Sequence, residues 1–144
     1  MLEVDGQPLT QSNSINRYVA KLAGLYPADD WQAALCDEFM GAVGDVVQLV
    51  VSTFFLSDYE KKSKREALVA DELPLYLQQM AARLNANGGE HFSDQRLTIA
   101  DLKVLIWIKG LLQGHLDYIP VGLVVEHAPE LLSHAERIEK EIAD

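Results

Sequence analysis

Residues 2–9 of the chain read Leu-Glu-Val-Asp-Gly-Gln-Pro-Leu, and this stretch constrains the fold more than any other. Leu2 and Val4 alternate with polar residues as in a half-buried strand, and Asp5-Gly6 is a favoured two-residue hairpin turn. Gln7 to Thr10 is then the return strand. Pro8 lies inside it and cannot donate to a ladder on both sides, so this strand is expected at a sheet edge. Any further strand would have to pair along Met1 to Val4. A two-stranded hairpin alone is marginal in water, so a neighbouring strand is expected from a segment ahead of Met1.

The rest of the chain reads as helical. Ser12 is expected to cap a helix over about residues 13–23, closed by Gly24, with Ile15, Tyr18, Val19 and Leu22 as its buried face. Asp29 or Asp30 suits the cap of a long helix from about Trp31 to Phe55, whose apolar side is Leu35, Phe39, Val43, Val46, Val47 and Val50. Its second half is apolar nearly all round and needs cover on several faces, by its own domain and by a partner. Gly41 and Gly44 fit close approach of another backbone or a ligand, and equally fit simple tolerance. A third helix is expected over residues 62–87, kinked at Pro74. Thr98 and Asp101 open a fourth as a capping box, with Leu97 and Leu102 at the staple positions. A last helix covers about Pro129 to Ile142.

Charge and composition exclude several functions. Twelve basic against 22 acidic residues give a formal charge of −10, the wrong sign for a nucleic-acid surface. The basic run from Lys61 to Arg65 is flanked by Glu60 and Glu66 and reads as a solvated helix face. Cys36 is the sole cysteine, which rules out an intramolecular disulfide and fits a small core residue in a reducing, cytoplasmic setting. The apolar run from Val46 to Leu56 is too short for a membrane span. His91, His115, His127 and His134 show no helical ligand spacing, so no metal site is expected. Neither a nucleophile elbow nor a phosphate loop is present. What remains is Gln11-Ser12. A hydroxyl and free backbone N–H groups at a helix start make a carboxylate site, or else Ser12 merely caps its own helix.

The stretches "LEVDG", "QS-x-x-I-x-RY" and, some 80 residues on, "LT-x-AD" together resemble the cytosolic glutathione transferase family, and its sigma-like branch most. The helix "ELPLYLQQM" with its internal proline is a third point of likeness. The resemblance covers essentially the whole chain. It implies a mostly α fold. Residues 1–25 would be the closing β-hairpin and helix of a thioredoxin-like glutathione-binding domain, and residues 26–144 the all-helical domain. The family's first β-α-β portion, with its thiol-activating Tyr or Ser and its cis-proline, is expected upstream of Met1, so none of the tyrosines here inherits the catalytic role. The helix and tail that cover the electrophile pocket are expected to be absent or shortened after Asp144.

The resemblance further implies that Gln11 and Ser12 hold the γ-glutamyl end of glutathione, while Asp45 reaches the γ-glutamyl amine bound by the other subunit of a homodimer. The complete enzyme would add the glutathione thiolate to hydrophobic electrophiles, a detoxifying activity, with the electrophile against the apolar side of the long helix. Asp101 is accounted for by capping. A non-catalytic dimerisation or protein-interaction module built on a transferase-like helical domain is the competing reading.

Overall fold

The computed structural model describes residues 1–143; Asp144, where the helical domain is expected to end, lies outside the described residues. The elements run β1 (Leu2–Val4), β2 (Gln7–Leu9), α1 (Ser12–Leu22), α2 (Asp30–Val51), α3 (Asp58–Ala70), α4 (Glu72–Ala86), α5 (Ile99–Leu112), α6 (Leu123–His127) and α7 (Pro129–Ala143). The fold is mostly α, with one antiparallel hairpin at its start.

The hairpin forms in the register set by its turn. Leu2 faces Leu9, Glu3 faces Pro8 and Val4 faces Gln7. Asp5 and Gly6 both take positive φ, 51° and 78°, as a type I′ turn demands, and glycine makes the second position free of strain.

Helix α1 ends as expected, in a Schellman motif. Gly24 adopts φ 70°, and the Leu25 N–H donates to Ala20 O at 2.8 Å. Its expected buried face is not covered, however. Tyr18, Val19 and Leu22 are exposed, and Ala20 is the one buried residue of the helix. The face turned toward the helical body is instead Asn13, Arg17 and Ala20, at spacings of four and three. Two short strands cannot cover the apolar stripe on the opposite side.

The long helix α2 is capped by the Asp29 carboxylate, which accepts from the Gln32 N–H at 2.9 Å. It stops at Val51 and not at Phe55. The Ser52 and Thr53 hydroxyls donate back to Leu49 O and Val50 O, at 2.7 Å each, and the chain winds on in tight turns to Leu56. A capping box of Ser57 and Glu60 then starts α3 at Asp58, earlier than its apolar pattern implies.

Pro74 does not kink a single long helix. The chain breaks at Asp71, with φ −125° and ψ −76°, and Pro74 falls in the first turn of a new helix, α4. Backbone N–H groups there have no partner within the helix, so a residue without one loses nothing. The short helix α6, absent from the sequence expectation, sits between Pro120 and Pro129.

The core lies between α2, α4, α5 and α7. Cys36, Phe39, Val43 and Val46 from α2 meet Leu73, Leu77 and Leu84 from α4, Val104 and Ile108 from α5, and Leu131 and Ile138 from α7. Each such large side chain contributes about 1.5–3 kcal/mol by leaving water. Phe92 enters from the loop before α5 and is fully buried, its ring 4.6 Å from Phe39 and edge-on to His134 at 4.9 Å.

The basic run is not wholly a solvated face. Arg65 is 3% exposed; its guanidinium donates to Thr53 Oγ1 at 2.8 Å and Asp117 O at 2.9 Å, and lies over the Phe54 ring. It ties the α2–α3 turn to the segment after α5. A buried hydroxyl and a part-buried carbonyl reward this one arginine, a signal that composition does not carry.

Candidate functional site

The first turn of α1 is the feature from which a binding site can be built. Gln11, and not Ser12, stands at the N-cap position, with φ 70° in the left-handed region. Its carbonyl accepts the first helical bond, from the Ile15 N–H at 3.0 Å. The N–H groups of Ser12, Asn13 and Ser14 precede that bond, and no side-chain cap bond is made there. Ser12 is therefore the first helical residue, exposed, with its hydroxyl beside open donors. The expectation that Ser12 caps its own helix is thus corrected. A strained non-glycine residue followed by an uncapped helix start leaves the positive end of α1 facing outward.

Asn13 anchors this turn. Its Nδ2 donates to Met40 O at 3.4 Å, and its Oδ1 accepts from Lys103 Nζ at 3.2 Å. Lys103 is half-buried, and desolvation lowers its pKa. One turn further along α1, Arg17 grips Asp37 of α2 through two bonds, of 3.1 and 2.9 Å, and the Tyr26 hydroxyl donates to the same carboxylate at 3.0 Å. Burial, and then the bond to Asp37, pushes the Tyr26 phenol pKa up. Below, Arg96 donates to the carbonyls of Gly24 and Tyr26, and the Ile99 N–H donates to Leu25 O at 2.9 Å. These ties fix the orientation of α1 on the helical body.

Asp45 lies exposed on α2, with no hydrogen-bond partner among the described residues. It follows Gly44, where an added Cβ would stand 3.8 Å from Asn13 Nδ2. That is ordinary contact, so neither Gly44 nor Gly41, which meets nothing within 4 Å, is required by close approach. Asp45 therefore stands on the helix crossed by the first turn of α1.

Between the C-terminal half of α2 and α5 runs an apolar cleft of about 150 Å³, whose walls include Val47, Val51, Phe54, Trp107, Gly110 and Leu116. Val47, Val51 and Phe54 remain partly exposed along it.

Cys36 is fully buried, and burial raises its thiol pKa, so it is a core residue and no nucleophile. Among the described residues no group of three or more His, Cys, Asp and Glu converges as metal ligands would. No helix among them is long and apolar enough to cross a membrane. Asp101 does more than cap. Its Oδ2 accepts from the Thr98 N–H and hydroxyl, both at 2.9 Å, and its Oδ1 accepts from the Phe92 N–H at 3.0 Å and meets His134 Nε2 at 3.0 Å.

The sequence reading did not single out Asn13, Lys103 or the Arg17–Asp37–Tyr26 cluster. Lys103 carried a legible signal: apart from Asp101, it is the one charged residue among the apolar residues that run from Leu97 to Ile108.

Residues 44–142 match the family model described as Glutathione S-transferase, C-terminal domain. A Glutathione S-transferase of Anopheles gambiae is 28% identical over 139 residues, covering 96% of this chain and 66% of that protein. Glutathione S-transferase S1 of Drosophila melanogaster is 32% identical over 132 residues, 91% of this chain and 51% of its own length. The chain thus spans between half and two thirds of these relatives. The solved sigma class GST of Fasciola hepatica superposes with a TM-score of 0.75 at 21% identity, over 89% of this chain and 59% of that one; this likeness is one of fold.

Proposed function

We propose, for a chain that belongs to the glutathione S-transferase family, that α1 presents the γ-glutamyl half of a glutathione site and that the α2–α5 cleft receives the apolar electrophile. The observation that carries the reading is the uncapped start of α1. Three backbone N–H groups and the exposed Ser12 hydroxyl are free to meet a carboxylate, and Gln11 is turned out of the helix by its positive φ. An α-carboxylate at this position gains charge-assisted hydrogen bonds and the favourable end of the helix dipole.

The reaction in this reading is addition of the glutathione thiolate to an electrophilic carbon. The sulfur lone pair forms the new bond, and the leaving group or the electrophile's π system takes the electrons. The residues described here bind and orient; the hydroxyl that stabilises the thiolate is assigned to none of Tyr18, Tyr26, Tyr59, Tyr76 or Tyr118. Asp45, exposed on α2 with no partner of its own, is read as reaching the γ-glutamyl amine of a second copy across a homodimer interface. Residues 1–25 are read as part of a thioredoxin-like unit, residues 26–144 as the all-helical one, and the setting as cytoplasmic.

Calorimetric titration of the protein with glutathione tests the site. Ser12→Ala removes one hydrogen bond to a charged group, worth about 1.5–3 kcal/mol, so affinity is expected to fall roughly tenfold or more. Glutathione bound equally by the wild type and Ser12→Ala removes the assignment. No binding by either favours the non-catalytic module.

A further inference from the structure

Arg65 lines none of the apolar cleft, yet it holds both of its walls. From α3 its guanidinium donates to Thr53 Oγ1 at 2.8 Å and to Asp117 O at 2.9 Å. The residue after Thr53 is Phe54, and the residue before Asp117 is Leu116. Both line the cleft, one just past the end of α2 and the other just past α5. The guanidinium carbon also stands 5.4 Å from the centre of the Phe54 ring. One side chain therefore sets Phe54 and Leu116 in place relative to each other.

The arrangement is a poor one for stability alone. Arg65 is 3% exposed, and its two hydrogen-bond partners are a hydroxyl and a carbonyl, so a buried charge is met by neutral acceptors. What a guanidinium adds over an apolar side chain is geometry: a rigid planar fork of donors and a flat face for an aromatic ring. The segment it holds is also strained. Tyr118, next to Asp117, has φ 63°, in the left-handed region that a bulky residue avoids. Its hydroxyl donates to the carboxylate of Asp58, the first residue of α3, and stands 2.9 Å from each oxygen. Helix α3 thus grips two successive residues of this segment, and such strain persists where the surroundings over-determine it.

We infer that Arg65 is a positioning residue that sets the width of the α2–α5 cleft, and with it the size of the electrophile admitted. The inference deepens the transferase reading and rests on it for what the cleft receives. With Phe54 and Leu116 held, the cleft measures about 150 Å³, room for a single benzene-sized ring. Phe54 is 46% exposed, so little but the Arg65 contacts keeps it from swinging outward. Without them the two walls part and a larger ring system fits.

The probes are benzyl alcohol and naphthylmethanol, one ring and two on the same uncharged head group. Calorimetry on the whole protein should show Arg65→Met moving the ratio of their affinities toward the two-ring probe by about tenfold or more, the scale on which pocket shape discriminates. Arg65→Lys should fall between, because its amine serves one acceptor at a time and cannot lie flat on Phe54. Trp107 lines the cleft and is 6% exposed, so in a Trp31→Phe background its emission reports the same opening. Arg65→Met should shift that emission to the red in the folded protein. Arg137→Met is the control for a merely structural arginine. Arg137 also donates to two carbonyls, those of Gly89 and Glu90, and neither residue lines the cleft. Its variant should lower the urea midpoint and leave both the ratio and the Trp107 emission unchanged. An unchanged ratio or an unshifted Trp107 in the Arg65 variants overturns the inference, as does Arg137→Met moving the ratio equally far. If Arg65→Met does not fold, Arg65→Lys decides. Binding of neither probe to the wild type removes the cleft from the transferase reading and the inference with it. A ratio that moves with Arg65, in a protein that binds no glutathione, keeps Arg65 in its positioning role and removes the transferase reading.

Discussion

Asp101 Oδ1 and His134 Nε2 stand 3.0 Å apart with both side chains fully buried, joining the start of α5 to the middle of α7. The same carboxylate also holds the Thr98 and Phe92 N–H groups. Asp101→Ala would leave these donors buried and unpaired at once. We expect a loss of about 3–5 kcal/mol in urea unfolding, the range for breaking a buried pair from one side. A cost below about 1 kcal/mol would show that water enters and satisfies the cluster.

Pro74 stands in the first turn of α4, where its missing N–H and fixed φ cost little. Pro74→Ala should change stability by less than about 1 kcal/mol, the reduced entropy of the unfolded proline chain offsetting any local gain. A proline inside a continuous helix costs about 3 kcal/mol. Stabilisation of that size in Pro74→Ala would therefore mean that α3 and α4 tend to form one strained helix.

Local signals were legible wherever the responsible atoms are neighbours in sequence. The Asp5-Gly6 turn, the Gly24 terminus, the Asp29 cap and the Thr98–Asp101 pair all follow from residues within five positions of one another. What escaped depends on partners far along the chain. Arg65 looks like part of a solvated run until Asp117 and Thr53 are placed beside it. The face of α1 that packs is polar, so periodicity pointed to Tyr18, Val19 and Leu22 instead. Serine favours the cap position, so the sequence points to Ser12, but Gln11 stands there and leaves Ser12 one place inside the helix.

The Arg17–Asp37 pair ties α1 to α2 through two bonds, although each side chain is about one-third exposed, 36% in both cases. A double-mutant cycle with Arg17→Ala and Asp37→Ala should give a coupling of about 0.5–1 kcal/mol, falling as salt is raised. The Arg83–Glu38 pair, also two-pronged but more exposed at 48%, should give less. A larger coupling for Arg83–Glu38 would mean that exposure does not rank these pairs.

Cys36 is fully buried on α2, and burial lifts its thiol pKa. Iodoacetamide should leave it unmodified in the native protein and label it in urea, in step with global unfolding. Rapid native labelling, read by mass spectrometry, would show that α2 opens locally around residue 36.

Lys103 makes stability depend on pH in a direction that can be worked out. An unfolded lysine titrates near 10.4, and desolvation holds the folded value below that. Between the two values the unfolded chain binds the proton and the folded chain does not. Stability from this group therefore rises with pH across that window and is lost as pH falls through the folded value. Lys103→Met lacks the effect. Relative to the wild type, the variant should be best placed at pH 7 and lose ground steadily toward about pH 10.4. Tyr26, whose raised pKa acts in the opposite sense in this range, is present in both proteins and cancels in the difference. Urea midpoints for the two proteins at pH 7 and near pH 10 are the measurement. A difference that does not change with pH would mean that Lys103 is as well hydrated as in the unfolded chain.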